Sequence, residues 1–254
     1  KVLFNPTSNT EITLNETVSP SVVVVKGDST TIINGTGAIS GTASVNKVGD
    51  GVLVLNTVNS YTGQTVLHGG TIEFNSLANG GEVSAIGASS EFAQSWIWNG
   101  GTWKYTGGNV TTNRSAMLYE DTEFNIVNSG KTVTMNGSLE GVGGLTLNGE
   151  GQMTVPGTNF FKYTGNTVLK GGTLYLSTVD AAKKGIGSSP KLIMAGGTLK
   201  TKGESENYET YSFPIEVQEG THSIFAPNRN CYIKSKVTGN GTIQINIPYL
   251  REYI

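Results

Sequence analysis

The feature that most constrains this chain is that it repeats itself. Residues 61–72 read Tyr-Thr-Gly-Gln-Thr-Val-Leu-His-Gly-Gly-Thr-Ile, and residues 163–174 read Tyr-Thr-Gly-Asn-Thr-Val-Leu-Lys-Gly-Gly-Thr-Leu. Nine of the twelve positions are identical at a constant offset of 102 residues. A shared composition does not produce a shared order, so one structural unit is used twice.

The match continues on both sides. Gly51-Val52-Leu53-Val54 corresponds to Gly151-Gln152-Met153-Thr154, and Ala85-Ile86-Gly87-Ala88-Ser89 to Gly185-Ile186-Gly187-Ser188-Ser189. Trp98-Asn99-Gly100-Gly101-Thr102-Trp103-Lys104 corresponds to Met194-Ala195-Gly196-Gly197-Thr198-Leu199-Lys200, and residues 141–147 to 239–245. The chain therefore holds about two super-repeats of roughly one hundred residues, spanning about 31–130 and 131–230. Inside each, short alternating runs such as Val52/Val54, Ile72/Phe74, Trp96/Trp98 and Val133/Met135 are bounded by Gly, Asn or Ser. Each predicts a short strand between tight turns. Helical periodicity is confined to residues 179–184, too few to stand alone.

Three all-β architectures suit short strands and Gly-rich turns. A sandwich has no reason to repeat at this length, and a propeller blade recurs every ~40–50 residues, a period missing here. A solenoid of stacked strand-turn coils fits, because each coil buries its apolar side only against the next. The pattern thus predicts one all-β domain over residues 1–254, a parallel β-helix of about ten to twelve coils at roughly 20–25 residues each. Lys1 in place of Met, and a final stretch 247–254 without a turn or cap, predict a piece of a longer chain.

Composition narrows the function. The chain has 35 Gly, 32 Thr and 23 Asn, which favour pleated surfaces and turns with positive φ. Seventeen basic against 19 acidic residues, a net charge of −2, provide no basic field for nucleic acid or anionic lipid. The longest apolar runs, Val22–Val25 among them, are far too short to cross a bilayer, so no membrane insertion by this segment is expected. The single cysteine, Cys231, rules out an internal disulfide.

Residues 49–55 (Gly-Asp-Gly-Val-Leu-Val-Leu), then Asn59-Ser60-Tyr61-Thr62-Gly63, then 65–72 resemble the autotransporter-associated β-strand repeat, whose motif runs approximately G-G-L-x-L, N-x-Y-T-G-x-T-x-V, G-G-T-L. Residues 149–176 resemble it again, with Pro156-Gly157 inserted. The resemblance implies a right-handed parallel β-helix in a secreted or surface-displayed bacterial protein. It carries no catalytic residues, and related repeats occur in secreted proteins that degrade plant polysaccharide.

Several residues invite a functional assignment. Trp96, Trp98, Trp103 and Tyr105 could form a flat platform for sugar rings. Their counterparts in the second copy, Leu192 for Trp96, Met194 for Trp98 and Leu199 for Trp103, are apolar and favour core packing. Tyr61 and Tyr163 read as turn residues whose hydroxyls bond to backbone. Arg114 with Glu120, Asp121 and Glu123 is the best match to the carboxylates and base of a polysaccharide lyase. Strand alternation would put Asp121 and Glu123 on one face and Glu120 on the other. His68 corresponds to Lys170 and so points to solvent; with His222 it makes no metal signature. Residues 78–92, 107–120 and 203–213 break the repeat most and are where an idiosyncratic site belongs.

The sequence thus predicts a non-catalytic, cofactor-free structural or binding module whose partners are polysaccharide or other domains of the same chain. The ligand-contact candidates are Trp96, Trp98, Trp103, Tyr105, Arg114, Asp121 and Glu123. The rival assignment is a carbohydrate-active enzyme, a lyase or hydrolase acting on plant polysaccharide such as pectin.

Overall fold

A computed structural model describes residues 1–157, 160–178, 186–202, 209–227 and 231–247. The expected short helix at 179–184 lies outside them, as does most of the 203–213 stretch. Among the described residues the only helical element is a single 3-10 turn, Ala93–Ser95.

The strands stack as a parallel β-solenoid. A first sheet of eight strands runs from Val2–Phe4 to Phe161–Tyr163, and a second of eleven runs from Thr10–Leu14 to Val237–Gly239. A third, of seven strands, begins only at Val110–Thr112 and ends at Thr242–Ile245. Glu209–Tyr211 and Cys231–Ile233 pair with each other and take the first sheet's place in the last coils. Among the described residues every pairing between strands is parallel: Val23 pairs with Val45 and Leu145 with Thr167, in each case one coil of 22 residues on. Eleven strands in the second sheet mean ten steps, a stack about 48 Å long at roughly 4.8 Å per step.

Alternation decides what is inside. Along Val22–Val25 and Val52–Leu55 every second residue is buried, and the inward residues of successive coils form one continuous core. At the corners the coils approach too closely for side chains. A Cβ on Gly143 would collide with the backbone of Glu120 in the coil below, so that corner position admits only glycine.

The two sequence copies do not occupy the same faces. Residues 65–68 and 71–74 of the first copy lie in the first and second sheets, whereas 167–169 and 173–176 of the second lie in the second and third. Trp96–Asn99 and Thr102–Tyr105 are likewise displaced by one face from Leu192–Met194 and Thr198–Thr201. Four coils plus one face separate the copies, because the first-sheet strand His68 closes is followed by four more before Thr167. What repeats is a strand-corner-strand unit, and it fits any corner of the prism.

One coil departs from the common length. Thr65 pairs with Trp96, 31 residues on, because residues 76–95 form a long excursion. Its backbone meets the open edge of the third sheet where that sheet begins: Thr112 Oγ1 donates to Ala78 O (2.8 Å), and Asn113 N donates to Asn79 Oδ1 (3.0 Å). An unpaired strand edge is an invitation to aggregation, and this segment packs against the C-terminal end of that edge strand while Thr111 stays exposed.

Tyr61 and Tyr163 are fully buried. Their hydroxyls share a hydrogen bond with the threonine hydroxyl four residues on, Thr65 at 2.8 Å and Thr167 at 2.7 Å, rather than bonding to backbone as the sequence predicts. Thr65 passes the chain on to Ile86 O and Thr167 to Ser189 Oγ. The motif spacing Tyr-x-x-x-Thr therefore encodes a side-chain pair. Burial raises both phenol pKa values well above their ordinary range, opposed only in part by the threonine hydrogen bonds. The unfolded chain's tyrosines ionise near pH 10 while these two stay protonated. Stability is therefore full below that pH and falls as pH rises beyond it. Tyrosinate absorbance at pH 11 should show at least two of the ten tyrosines still protonated, and Tyr61→Phe should flatten the alkaline loss of stability.

Candidate functional site

The aromatic candidates lie in the interior. Trp96, Trp98 and Trp103 are at most 1% exposed and Tyr105 is 2% exposed. Trp96 meets Trp98 and Trp103 edge to face at 5.1 and 5.4 Å, and Trp98 stacks on Phe124 at 5.4 Å with planes 9° apart. These contacts match the preferred aromatic geometries. Among the described residues the three indole N–H groups have no hydrogen-bond acceptor. The rings sit in the coils next to the start of the third sheet, at Val110–Thr112. A surface platform made of these residues is excluded by their burial, and Tyr105 is committed by its own hydrogen bond to Gly108 O at 2.9 Å.

Arg114 is also fully buried. Nε donates to Ala78 O (3.0 Å), Nη1 to Ser89 Oγ (2.8 Å), and Nη2 to Glu82 O (3.2 Å) and Gly87 O (2.9 Å). All four acceptors belong to the 76–95 segment, so the guanidinium pins that excursion onto the third sheet's edge. A buried guanidinium without a carboxylate partner is costly, and these acceptors are what hold it there. Arg114 therefore does not join Asp121 and Glu123 as a lyase base.

The acidic candidates sit on the outer flank. Residue 121 falls between strands Ala116–Glu120 and Thr122–Ile126, so alternation is interrupted there and Glu120 and Asp121 are both exposed. Asp121 Oδ1 accepts from Gly144 N at 2.7 Å. Glu123 accepts from Asn148 Nδ2 at 3.0 Å and pairs with Lys170 at 3.6 Å. His68 is exposed, as its correspondence with Lys170 predicts, and contacts Asn99 Nδ2 at 3.1 Å. Among the described residues no three His, Cys, Asp or Glu side chains are grouped to hold a metal ion.

Sequence reasoning missed a hollow of about 460 Å³ at the corner between the third and first sheets, lined by Asn113, Ser115, Asn136, Ser138 and Lys162 over Met135 and Phe160. Successive turns stack Asn136 above Asn113 and Ser138 above Ser115. The paired Asn-x-Ser stretches, 113–115 and 136–138, are its only trace in the sequence. A second hollow, of about 410 Å³, is apolar and opens at the first coil between Val2, Phe4, Ile12 and Leu14.

The chain is 28% identical over 233 aligned residues, covering 80% of its length, to the adhesin BmaC autotransporter of Brucella suis biovar 1 (strain 1330). It spans about 7% of that protein's length. It matches no protein-family model, and no solved structure matches it. The similarity and the β-solenoid agree with the repeat resemblance seen in the sequence and indicate a secreted or cell-surface bacterial protein. Among the described residues no helix is long and apolar enough to cross a membrane.

Two substitutions check these placements. Trp98→Ala should lower stability by ~3–5 kcal/mol in urea unfolding, the cost of emptying a packed aromatic site. Arg114→Met should cost about 2–4 kcal/mol by orphaning buried carbonyls, and limited proteolysis should then cut within 76–95 first.

Proposed function

We propose that residues 1–254 form one non-catalytic β-solenoid module of an adhesive surface protein, which makes its contacts, glycans among them, through its outward polar flanks. One observation carries this assignment: the outward side chains are polar and in register over several coils. On the third sheet Thr132, Gln152, Thr173 and Thr198 are neighbours in one column. On the second, Glu73, Lys104, Asn125 and Asn148 form another, with Lys104 and Glu73 paired at 2.9 Å. A flat, weakly charged, hydrogen-bonding surface of this kind suits extended polyhydroxylated partners. The similar Brucella protein is named an adhesin, which agrees with that role.

Beads coated with the purified chain should adhere to epithelial cells, and periodate oxidation of the cell-surface glycans should abolish adhesion. Beads that do not adhere would contradict the assignment. The enzymatic alternative has a separate check: polygalacturonate incubated with the chain, with and without Ca²⁺, should yield no unsaturated product. Turnover that Asp121→Ala abolishes would establish a lyase instead.

A further inference from the structure

We propose that the hollow at the corner between the third and first sheets is a binding site for a short stretch of neutral oligosaccharide. This rests on the glycan-contact assignment above and locates it. The size fits: about 460 Å³ lies within the range of small-ligand sites. The turn backbones are kept low at this corner. A Cβ on Gly137 would strike the backbone of Arg114 in the coil below, so no side chain can rise at that position.

The polar groups are arranged with capacity to spare. Asn113 Oδ1 accepts from Gly80 N at 2.8 Å, which fixes the amide and leaves its Nδ2 without a partner among the described residues. The side-chain amide of Asn136, exposed one coil above, has no partner among the described residues on either side. Ser138 N donates to Ser115 Oγ at 3.1 Å and Ser138 Oγ donates to Glu140 Oε1 at 2.5 Å; the Ser115 hydroxyl then has only Ser138 Oγ near it, at a long 3.5 Å, a weak contact that a ligand oxygen can replace. Lys162 Nζ reaches the same Glu140 oxygen at 3.2 Å, which uses one of its three protons. Held by Ser138 and then by Lys162, the Glu140 carboxyl has a pKa below its ordinary value and stays ionised at neutral pH.

The result is a net-neutral rim, one ammonium against one carboxylate, with amide and hydroxyl groups that leave both donors and acceptors free. A charged ligand gains nothing from a site whose charges already cancel, whereas sugar hydroxyls both donate and accept. The amide and hydroxyl pairs also recur at the coil step of roughly 4.8 Å, close to the advance of one pyranose along an extended glycan. Successive sugars can therefore meet equivalent groups.

The test is a titration of the full 254-residue chain, labelled with ¹⁵N, against cellotetraose, xylotetraose, chitotetraose and trigalacturonate. At least one neutral probe should shift amide resonances at 113–115, 136–138 and 160–162. Asn136→Ala should weaken its binding about tenfold while circular dichroism and melting stay unchanged, and Ser115→Ala should weaken it comparably while lowering the melting temperature, because Ser138 N then loses its acceptor. Lys162→Met, at an exposed position, provides the same readout if either variant misfolds. A neutral probe whose shifts map to another face, and which these variants do not weaken, would overturn the site while glycan contact stood. No shifts with any neutral probe at about 10 mM would overturn the inference, even if coated beads still adhered to cells. Binding of trigalacturonate alone would overturn the neutral specificity on which the argument rests.

Discussion

The distance between coils governs this molecule. Parallel strands hydrogen-bond only when their backbones lie roughly 4.8 Å apart, and in a solenoid every segment of each coil must keep that spacing, corners included. Gly143 is one consequence, a corner residue pressed against the backbone of Glu120. The continuous core is another, since inward residues one coil apart, such as Leu145 and Thr167, are necessarily neighbours. Side chains on the flanks inherit the same register, so like groups line up in columns whatever their purpose.

A stack governed by spacing is indifferent to how many sides it has, and here the number changes along the chain. The early coils carry two long sheets, and the third begins only at Val110–Thr112. The change leaves the first strand of the third sheet with an edge that has no partner strand among the described residues, and it coincides with a cluster of large buried aromatic side chains. Residues 76–95 pack against the end of that edge strand, held down by Arg114. Trp96, Trp98, Trp103 and Phe124 fill the interior of these coils. Among the described residues the Arg114 clamp on residues 76–95 occurs once, which is why the stretches that form it depart from the repeat, whereas the tryptophan strands keep the repeat's pattern with larger side chains.

Much of this was legible before any coordinates. Strand positions, turn glycines, coil length and the inward direction of the tryptophans follow from alternation and from comparing the two copies, because both are local properties. Long-range partnerships were not legible. Arg114 looked like a catalytic base because only its neighbours in sequence were visible, while its acceptors lie at residues 78–89. Asp121 looked like a strand residue because nothing local marks the corner that interrupts alternation there. The corner hollow escaped notice for the opposite reason: Asn and Ser are so common in this chain that two matching pairs carry no signal until stacking brings them together.

The displacement of the two sequence copies onto different faces is the central claim, because it makes the repeating unit a corner and not a coil. In the first copy Val66 lies in the first sheet, beside Ile97. Its counterpart Val168 lies in the second sheet, beside Thr146. Cysteine cross-linking in a Cys231→Ser background tests this directly, since neighbours at strand spacing fall within disulfide reach. Mild oxidation should link Thr146→Cys to Val168→Cys rapidly and leave the pair Glu140→Cys and Val168→Cys, which spans two faces, unlinked. The reverse outcome would mean that the copies share a face and that the coil is the repeating unit after all.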